Sequence, residues 1–290
     1  MTTTTTHRRL LGVAAAALVA GLLASCAAPT PDASGDAGEP VAGGTLVYAR
    51  PASVTSLDLH NQITANNAFA IDKVFEPLIA FNAAGEIEPW LAEEYTVSDD
   101  GLVYTFTLRD GPLFSDGTPV TSADVQFSIE RHLEVGGPLP LGGDVVSVET
   151  PDEATTVITL GAPYTPFLAE LSGFSNGVVP ANFGGASEED FFLAPIGTGP
   201  FAVSEWDPSG DLTFVKNENY WQEGKPYIDS LVYSLVADDT QGLQQLQADQ
   251  VQALEAVPAA NVAELEGASG VEVVTASGWA PPMPPHPPVR

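Results

Sequence analysis

The chain has 290 residues, of which 44% are hydrophobic, enough apolar material for one large or two ordinary globular cores. Nine Lys and Arg side chains against 38 Asp and Glu side chains give a formal net charge of -29, which has the wrong sign for a nucleic-acid partner and is typical of a solvated surface. A single cysteine excludes an internal disulfide, so the fold depends on packing.

The first 26 residues have the pattern of an export signal. Arg8-Arg9 precede an apolar stretch over residues 10–23, which is too short to cross the roughly 30 Å of a bilayer as a helix. The stretch ends in Leu23-Ala24-Ser25-Cys26, which resembles the lipobox of bacterial lipoproteins. The resemblance implies cleavage before Cys26 and a lipid anchor on it. Arg8-Arg9 also resembles a twin-arginine signal, so the export route stays open.

Residues 27–42 are rich in proline, alanine, glycine and aspartate, a composition typical of a flexible tether. This tract disfavours the alternative that Cys26 is a small buried core residue. The sequence therefore predicts an exported domain held at the outer face of the bacterial cytoplasmic membrane, or located in the periplasm.

Residues 43–279 are predicted to form mixed α/β layers, because hairpins and helices follow one another without strict alternation. A polar, irregular loop over residues 57–67 separates the first strand from the first helix. The predicted strands are 45–49, 94–97, 102–108, 144–149, 155–160, 199–206, 212–216, 228–236 and 271–275. The predicted helices are 71–78, 121–132, 163–171, 240–247 and 258–267.

The helix predicted over 121–132 has the clearest start signal. Thr121 precedes it, and Asp124 is placed to reach back to the amide at the cap, as Glu does in a capping box. Val125, Ile129 and Leu133 recur at helical spacing, so we expect these three side chains to face the core.

Eight short sequence blocks lie in order between residue 43 and about residue 266, and together they closely resemble the peptide- and nickel-type extracellular solute-binding proteins, family 5, which serve ABC importers. The blocks are Gly43–Ala49 with Leu57-Asp58, Phe75–Leu78, Pro89–Glu93, Leu102–Arg109 with Asp110-Gly111, Phe114–Thr121 with Asp124-Val125, Gly197–Phe201, Asn217–Trp221 and Pro226–Asp229.

The resemblance implies a periplasmic-binding-protein-like fold of the type II, peptide-binding class, in which two lobes close on a ligand by hinge motion. It implies a small solute as ligand, with an oligopeptide favoured over a nickel chelate or sugar. It also implies ABC permease and ATPase subunits as partners, no cofactor and no catalytic step.

The sequence departs from the family pattern at its end. The pattern stops near Trp279, and residues 280–290 are rich in proline, which excludes a helix or a central strand there. Members of the family are typically far longer, so residues 43–279 are expected to hold mostly one lobe, with the second lobe missing. The alternative function is accordingly a truncated remnant that is exported but captures nothing.

An enzyme is the third class of function, and one motif raises it. Gly173-Phe174-Ser175-Asn176-Gly177 matches the G-x-S-x-G pattern of a nucleophile elbow, which needs a strand before the serine and a histidine after it. Helix-like sequence precedes Ser175, and His286 is the only later histidine. The sequence therefore disfavours a serine hydrolase and predicts no enzyme.

Other polar and aromatic residues are assigned to the scaffold. His60 and His132 have no second ligand at metal-binding spacing, so each is predicted to be a surface or partly buried polar residue. The pairs Asp99-Asp100 and Asp238-Asp239 fit solvated turns. Packing is favoured over ligand stacking for three tryptophans, namely Trp90, Trp206 and Trp221.

Ligand contacts are expected from exposed loops that follow strands. The first candidates lie in the polar loop and are Asn61, Gln62, Thr64, Asn66 and Asn67. The next candidates are Ser175, Asn176 and Trp279. The sequence equally allows an ordinary polar loop without ligand contacts.

Overall fold

The structure, a computed structural model, describes residues 40–61 and 64–274, and it is mixed α/β as the sequence predicts. The predicted signal segment with Cys26, most of the predicted tether, Gln62, and Trp279 with the proline-rich tail lie outside the described residues. None of the helices within residues 40–61 and 64–274 combines the length and the apolar character that crossing a bilayer requires.

Short strands and helices alternate irregularly along the described chain. The strands are β1 Thr45–Arg50, β2 Ile79–Phe81, β3 Ile87–Pro89, β4 Ala92–Val97, β5 Val103–Leu108, β6 Val145–Glu149, β7 Thr155–Leu160, β8 Phe201–Trp206, β9 Leu212–Lys216, β10 Ser230–Leu235 and β11 Ala253–Leu254. The helices are α1 Ala65–Val74, α2 Ser122–Val135, α3 Phe167–Leu171, α4 Glu188–Leu193, α5 Asp239–Gln247 and α6 Ala259–Glu266.

The larger sheet has five strands in the order β11-β1-β10-β9-β8. Strand β1 runs parallel to both of its neighbours, β10 and β11, whereas β9 is antiparallel to β8 and β10. Both faces of β1 are covered: Leu46 and Tyr48 pack on one apolar cluster, and Val47 and Ala49 pack on another. Such coverage is typical of a parallel strand and explains its nearly continuous apolar sequence.

The second sheet has four antiparallel strands in the order β4-β5-β7-β6. Strand β5 alternates as its sequence predicts: Tyr104, Phe106 and Leu108 are buried, while the residues between them are half-buried. Helix α2 belongs to the same apolar cluster through Val125 and Ile129. The hairpins predicted over 94–108, 144–160 and 199–216 are all confirmed, because each is built from neighbouring segments of chain.

Helix α2 confirms the predicted cap and corrects one core residue. The backbone N–H of Thr121 donates to Oδ2 of Asp124 at 2.7 Å, which is half of the capping box. The prediction for Leu133 is wrong, because this side chain is 37% exposed. The buried stripe continues instead through His132, which lies seven positions after Val125 and therefore closer to the same face.

Helix α1 is displaced from its prediction. It covers Ala65–Val74 rather than 71–78, and Thr64 caps it by accepting from the N–H of Asn67. The helix ends before Glu76 because Pro77 disfavours a helical conformation in the residue that precedes it. Phe75 and Leu78 are nevertheless buried, as their apolar character predicts.

Two further predictions need correction. Helix α3 is shorter than predicted, since Pro166 occupies its N-cap and the helix begins only at Phe167. The strand predicted over 271–275 is not formed in its described part, residues 271–274. Its apolar residues have no neighbouring strand to pair with among the described residues.

Candidate functional site

The first candidate site lies where the three parallel strands end. Strand β10 continues through α5 to β11, and β1 lies between these two strands. In open α/β sheets, ligands bind beyond the carboxyl ends of parallel strands, at the point where the strand order switches. Arg50 is the last residue of β1 and therefore marks this edge.

Arg50 is buried at the edge, and its guanidinium group is hydrogen-bonded in several directions. Its side chain is 1% exposed, and Nε donates to Oε2 of Glu255 at 2.6 Å. Nη2 donates to Oδ1 of Asn66 at 3.0 Å, and Nη1 donates to the backbone oxygen of Asn66 at 3.3 Å. A buried charge with such partners is compensated, so it fixes the loop geometry around it.

Two aromatic rings complete the surroundings of Arg50. Its guanidinium carbon lies 4.6 Å from the ring centre of Tyr233 and 5.2 Å from that of Phe69. Burial raises the pKa of Tyr233 to about 12, and its hydroxyl donates to the backbone oxygen of Phe69 at 3.3 Å. We call Arg50, Asn66, Phe69, Tyr233 and Glu255 the Arg50 cluster.

The predicted ligand residues of the polar loop lie in different environments. Asn66 belongs to the Arg50 cluster, and Thr64 is the cap of α1. Asn67 is completely buried, and its Oδ1 accepts from the N–H of Thr55 at 2.9 Å, so its side chain secures the loop. Asn61 is exposed and donates to Oδ2 of Asp58 at 2.7 Å. Ligand contact by these residues stays a prediction.

A second polar cluster joins the same loop to helix α2. Arg131, 6% exposed, donates through Nη1 and Nη2 to the two carboxylate oxygens of Asp58 at 3.0 and 2.9 Å. It also forms an ion pair with Glu188 at the start of α4. The rings of His60 and His132 stack at 4.6 Å with an interplanar angle of 8°. We call these five residues the Arg131 cluster.

The Arg131 cluster corrects the prediction for the two histidines. They are 2% and 1% exposed, so neither is a surface residue, and they contact each other. Burial lowers the pKa of His60 to about 3, and electrostatic interactions with His132 and Arg131 act in the same direction. Burial alone would raise the pKa of Asp58, but hydrogen bonds from Arg131 and Asn61 lower it.

Ser175 and Asn176 lie beside this cluster. Both are buried in a short 3-10 turn over Phe174–Asn176, and Oδ1 of Asn176 lies 2.9 Å from Nδ1 of His132. Helix α3 precedes the turn, so the strand that a nucleophile elbow requires is not there. The arrangement supports a structural role for the G-x-S-x-G motif, and ligand contact by Ser175 and Asn176 remains a prediction.

A buried carboxylate in one of the family-like blocks was not recognised from the sequence. Glu76 is 4% exposed and accepts from Nε1 of Trp90 at 2.8 Å and from Nε1 of Trp221 at 3.1 Å. The hydroxyl of Tyr220 donates to it at 3.0 Å. Burial raises its pKa. The rings of Trp90 and Trp221 also pack edge to face, with their centres 5.5 Å apart, against one apolar cluster. Trp206 packs against the other cluster, and its Nε1 donates to the backbone oxygen of Val54.

The described residues contain many carboxylates, but these do not gather into a metal site. Within residues 40–61 and 64–274, no group of three or more His, Cys, Asp or Glu side chains is arranged to hold a metal ion. His60 and His132 approach each other by ring stacking, a geometry that differs from two nitrogens converging on an ion.

Comparison with known proteins gives one consistent class. The sequence profile of bacterial extracellular solute-binding proteins, family 5 Middle, matches residues 86–283. The chain is 36% identical over 200 residues to the nickel-binding periplasmic protein of Escherichia coli (strain K12), covering 67% of this chain and 38% of that protein. It is 29% identical over 240 residues to the glutathione-binding protein GsiB of the same strain, covering 81% of this chain and 44% of GsiB.

Solved structures agree with the sequence comparison. The ABC transporter-associated periplasmic binding protein DppA of Helicobacter pylori, in complex with the peptide STSA, superposes with a TM-score of 0.72 at 27% identity. The superposition covers 79% of this chain and 50% of DppA. The chain therefore spans about half the length, or less, of the proteins that it matches here.

Proposed function

Since the chain belongs to the bacterial extracellular solute-binding proteins, family 5, we propose that it is the solute-capturing component of an ABC importer. The observation that carries this proposal is the likeness of the described fold to DppA of Helicobacter pylori, a protein of this class solved with a bound peptide. The partners are then an ABC permease and its ATPase subunits, and the chain itself performs no catalytic step.

The solute is proposed to be a peptide bound beyond the carboxyl ends of β1, β10 and β11. The Arg50 cluster supports this location, because it fixes a loop and a helix at the edge where open α/β sheets bind ligands. Asn66 is the proposed polar contact within this cluster. The further proposed contacts within the described residues are Asn61, Thr64, Asn67, Ser175 and Asn176, and Gln62 and Trp279 lie outside those residues.

Isothermal titration calorimetry of the full chain tests capture directly. The titrants are a tripeptide, glutathione and a nickel chelate, because relatives with these or similar solutes in their names lie in the same family. We expect saturable binding of the tripeptide. Heat from the nickel chelate alone would instead assign the site to metal transport. No binding of any titrant would support the remnant alternative.

We also propose that Cys26 carries a lipid that holds the domain at the outer face of the cytoplasmic membrane. The lipobox-like Leu23-Ala24-Ser25-Cys26 and the tether-like residues 27–42 support this anchor. Radiolabelled palmitate should enter the wild-type chain and be lost in Cys26→Ala. Label retained in that variant would contradict the anchor.

A serine hydrolase is the weaker alternative, because Ser175 is buried and follows a helix rather than a strand. An activity-based serine probe should therefore leave the full chain unlabelled. Labelling that disappears in Ser175→Ala would restore the enzyme hypothesis.

A further inference from the structure

The structure points to Phe69 as a specificity-determining contact: we propose that the exposed side of its ring receives an apolar side chain of the bound peptide. This inference rests on the proposed function and narrows it to peptides with an apolar residue. Its basis is an aromatic ring that is exposed to solvent yet fixed at the carboxyl edge of the parallel strands.

Phe69 lies off the core face of helix α1. The helix buries Asn67, Ala70, Ile71 and Val74, which recur at positions i, i+3, i+4 and i+7. Phe69 falls outside this stripe, and its side chain is 52% exposed. A phenylalanine at such a position gains little from the core, so its contacts at the strand edge account for its placement.

The ring of Phe69 contacts the buried cation of Arg50. Its centre lies 5.2 Å from the guanidinium carbon of Arg50, and Arg50 is itself fixed by Glu255 and Asn66. The backbone oxygen of Phe69 accepts from the hydroxyl of Tyr233 at 3.3 Å. A ring that has such a contact before binding loses less conformational entropy than a free one when a ligand packs against it.

Charge at this edge favours an apolar group over a carboxylate. Arg50 is 1% exposed and paired with Glu255, so it does not offer a free cation to an anionic ligand. Asp238 and Asp239 are exposed and line a small cavity together with Arg50. A carboxylate on a ligand that reached this cavity would meet two like charges. The Phe69 ring, which does not line the cavity, carries no charge and offers only apolar surface.

The chain contains a matched control for this ring. Phe81, at the end of β2, is 51% exposed, almost the same as Phe69. Among the described residues, no cation or second ring lies in contact with Phe81. Phe81→Ala therefore removes an equally exposed ring from a position outside the proposed site.

The experiment is calorimetry of the full chain with two probes, the tripeptides Ala-Ala-Ala and Ala-Phe-Ala. We expect the wild type and Phe81→Ala to bind Ala-Phe-Ala more tightly than Ala-Ala-Ala. Phe69→Ala should reduce that preference by roughly two- to tenfold, the usual value of an aromatic pair. Phe69→Leu should retain part of it, since leucine still offers apolar surface. Thermal unfolding of each variant reports its folded state.

The outcomes separate this inference from the proposed function. A preference for Ala-Phe-Ala that is unchanged in Phe69→Ala overturns the role of Phe69 and leaves peptide capture standing. If Phe69→Ala weakens the binding of both tripeptides equally and lowers the unfolding temperature, Phe69 has a structural role. This result also overturns its role in specificity. No binding of either probe to the wild type rejects peptide capture, and the inference with it.

Discussion

Two buried arginines organise two different regions of this protein. Arg50 closes the strand β1 and has one carboxylate partner, Glu255, with Asn66 and two rings around it. Arg131, on α2, has two carboxylate partners, Asp58 and Glu188, and a buried histidine beside it.

The two clusters differ in whether all their buried side-chain nitrogens have hydrogen-bond partners. Nε, Nη1 and Nη2 of Arg50 each donate a hydrogen bond, whereas Nε of Arg131 and Nε2 of His60 are buried without a hydrogen-bond partner among the described residues. The Arg50 cluster borders an exposed edge with a ring open to solvent. The Arg131 cluster instead locks the loop after β1 to a helix of the other sheet. The Arg50 cluster therefore suits ligand recognition, and the Arg131 cluster suits stabilisation of the fold.

Removal of Arg131 is expected to have the largest effect. In Arg131→Ala, Asp58 loses its cation while it is still partly buried, and we expect a loss of about 3–5 kcal/mol in the free energy of unfolding. Urea denaturation followed by circular dichroism measures it. A loss below about 1 kcal/mol would show that this cluster does not hold the loop.

Removal of Arg50 should reduce stability less than removal of Arg131 does, and it should weaken peptide binding. Glu255 is 22% exposed and can recover water in Arg50→Ala, so we expect a loss of about 1.5–3 kcal/mol, the value of a hydrogen bond to a charged group. Calorimetry with Ala-Phe-Ala should show weaker binding, because Asn66 and Phe69 lose their support. Unchanged peptide affinity would place the ligand away from this edge.

The Arg131 cluster should also respond to pH, because it alone of the two contains histidine. The pKa of His60 is about 3 in the folded chain, below its ordinary value of 6.5, so the unfolded chain binds more protons between these values. Its contribution to stability is complete above pH 6.5 and is lost as pH falls toward 3. The expected slope is at most about 1.4 kcal/mol per pH unit.

The matched variant for this pH effect is His60→Gln, which does not titrate. Urea denaturation at several pH values should give a shallower rise in stability between pH 3 and 6.5 for the variant than for the wild type. Parallel curves would contradict the assignment of this slope to His60. Arg131, His132 and Asp58 surround the ring, so all three remain unchanged in the comparison.

The two clusters also show what could be predicted from the sequence. Hairpins were predicted correctly because their partners are neighbours in the chain, and Asn66 was singled out because it lies in a polar loop after a strand. Arg50 and Glu255 were missed because 205 positions separate them and only the parallel pairing of β1 with β11 brings them together. His60 and Arg131 are likewise 71 positions apart.

The smallest effect is expected at Glu188, and it sharpens the contrast within the Arg131 cluster. Its side chain is 55% exposed, so its ion pair with Arg131 competes with water and should contribute at most about 1 kcal/mol. Asp58, at 13% exposure, remains the main partner in Glu188→Gln. Urea denaturation of Glu188→Gln should therefore show a small loss in the free energy of unfolding. The loss should be smaller still in 1 M salt, where the Debye screening length is about 3 Å. A loss in the free energy of unfolding as large as that of Arg131→Ala would contradict this view. It would mean that Arg131 stabilises the fold mainly through Glu188 of α4 and not through Asp58 of the loop.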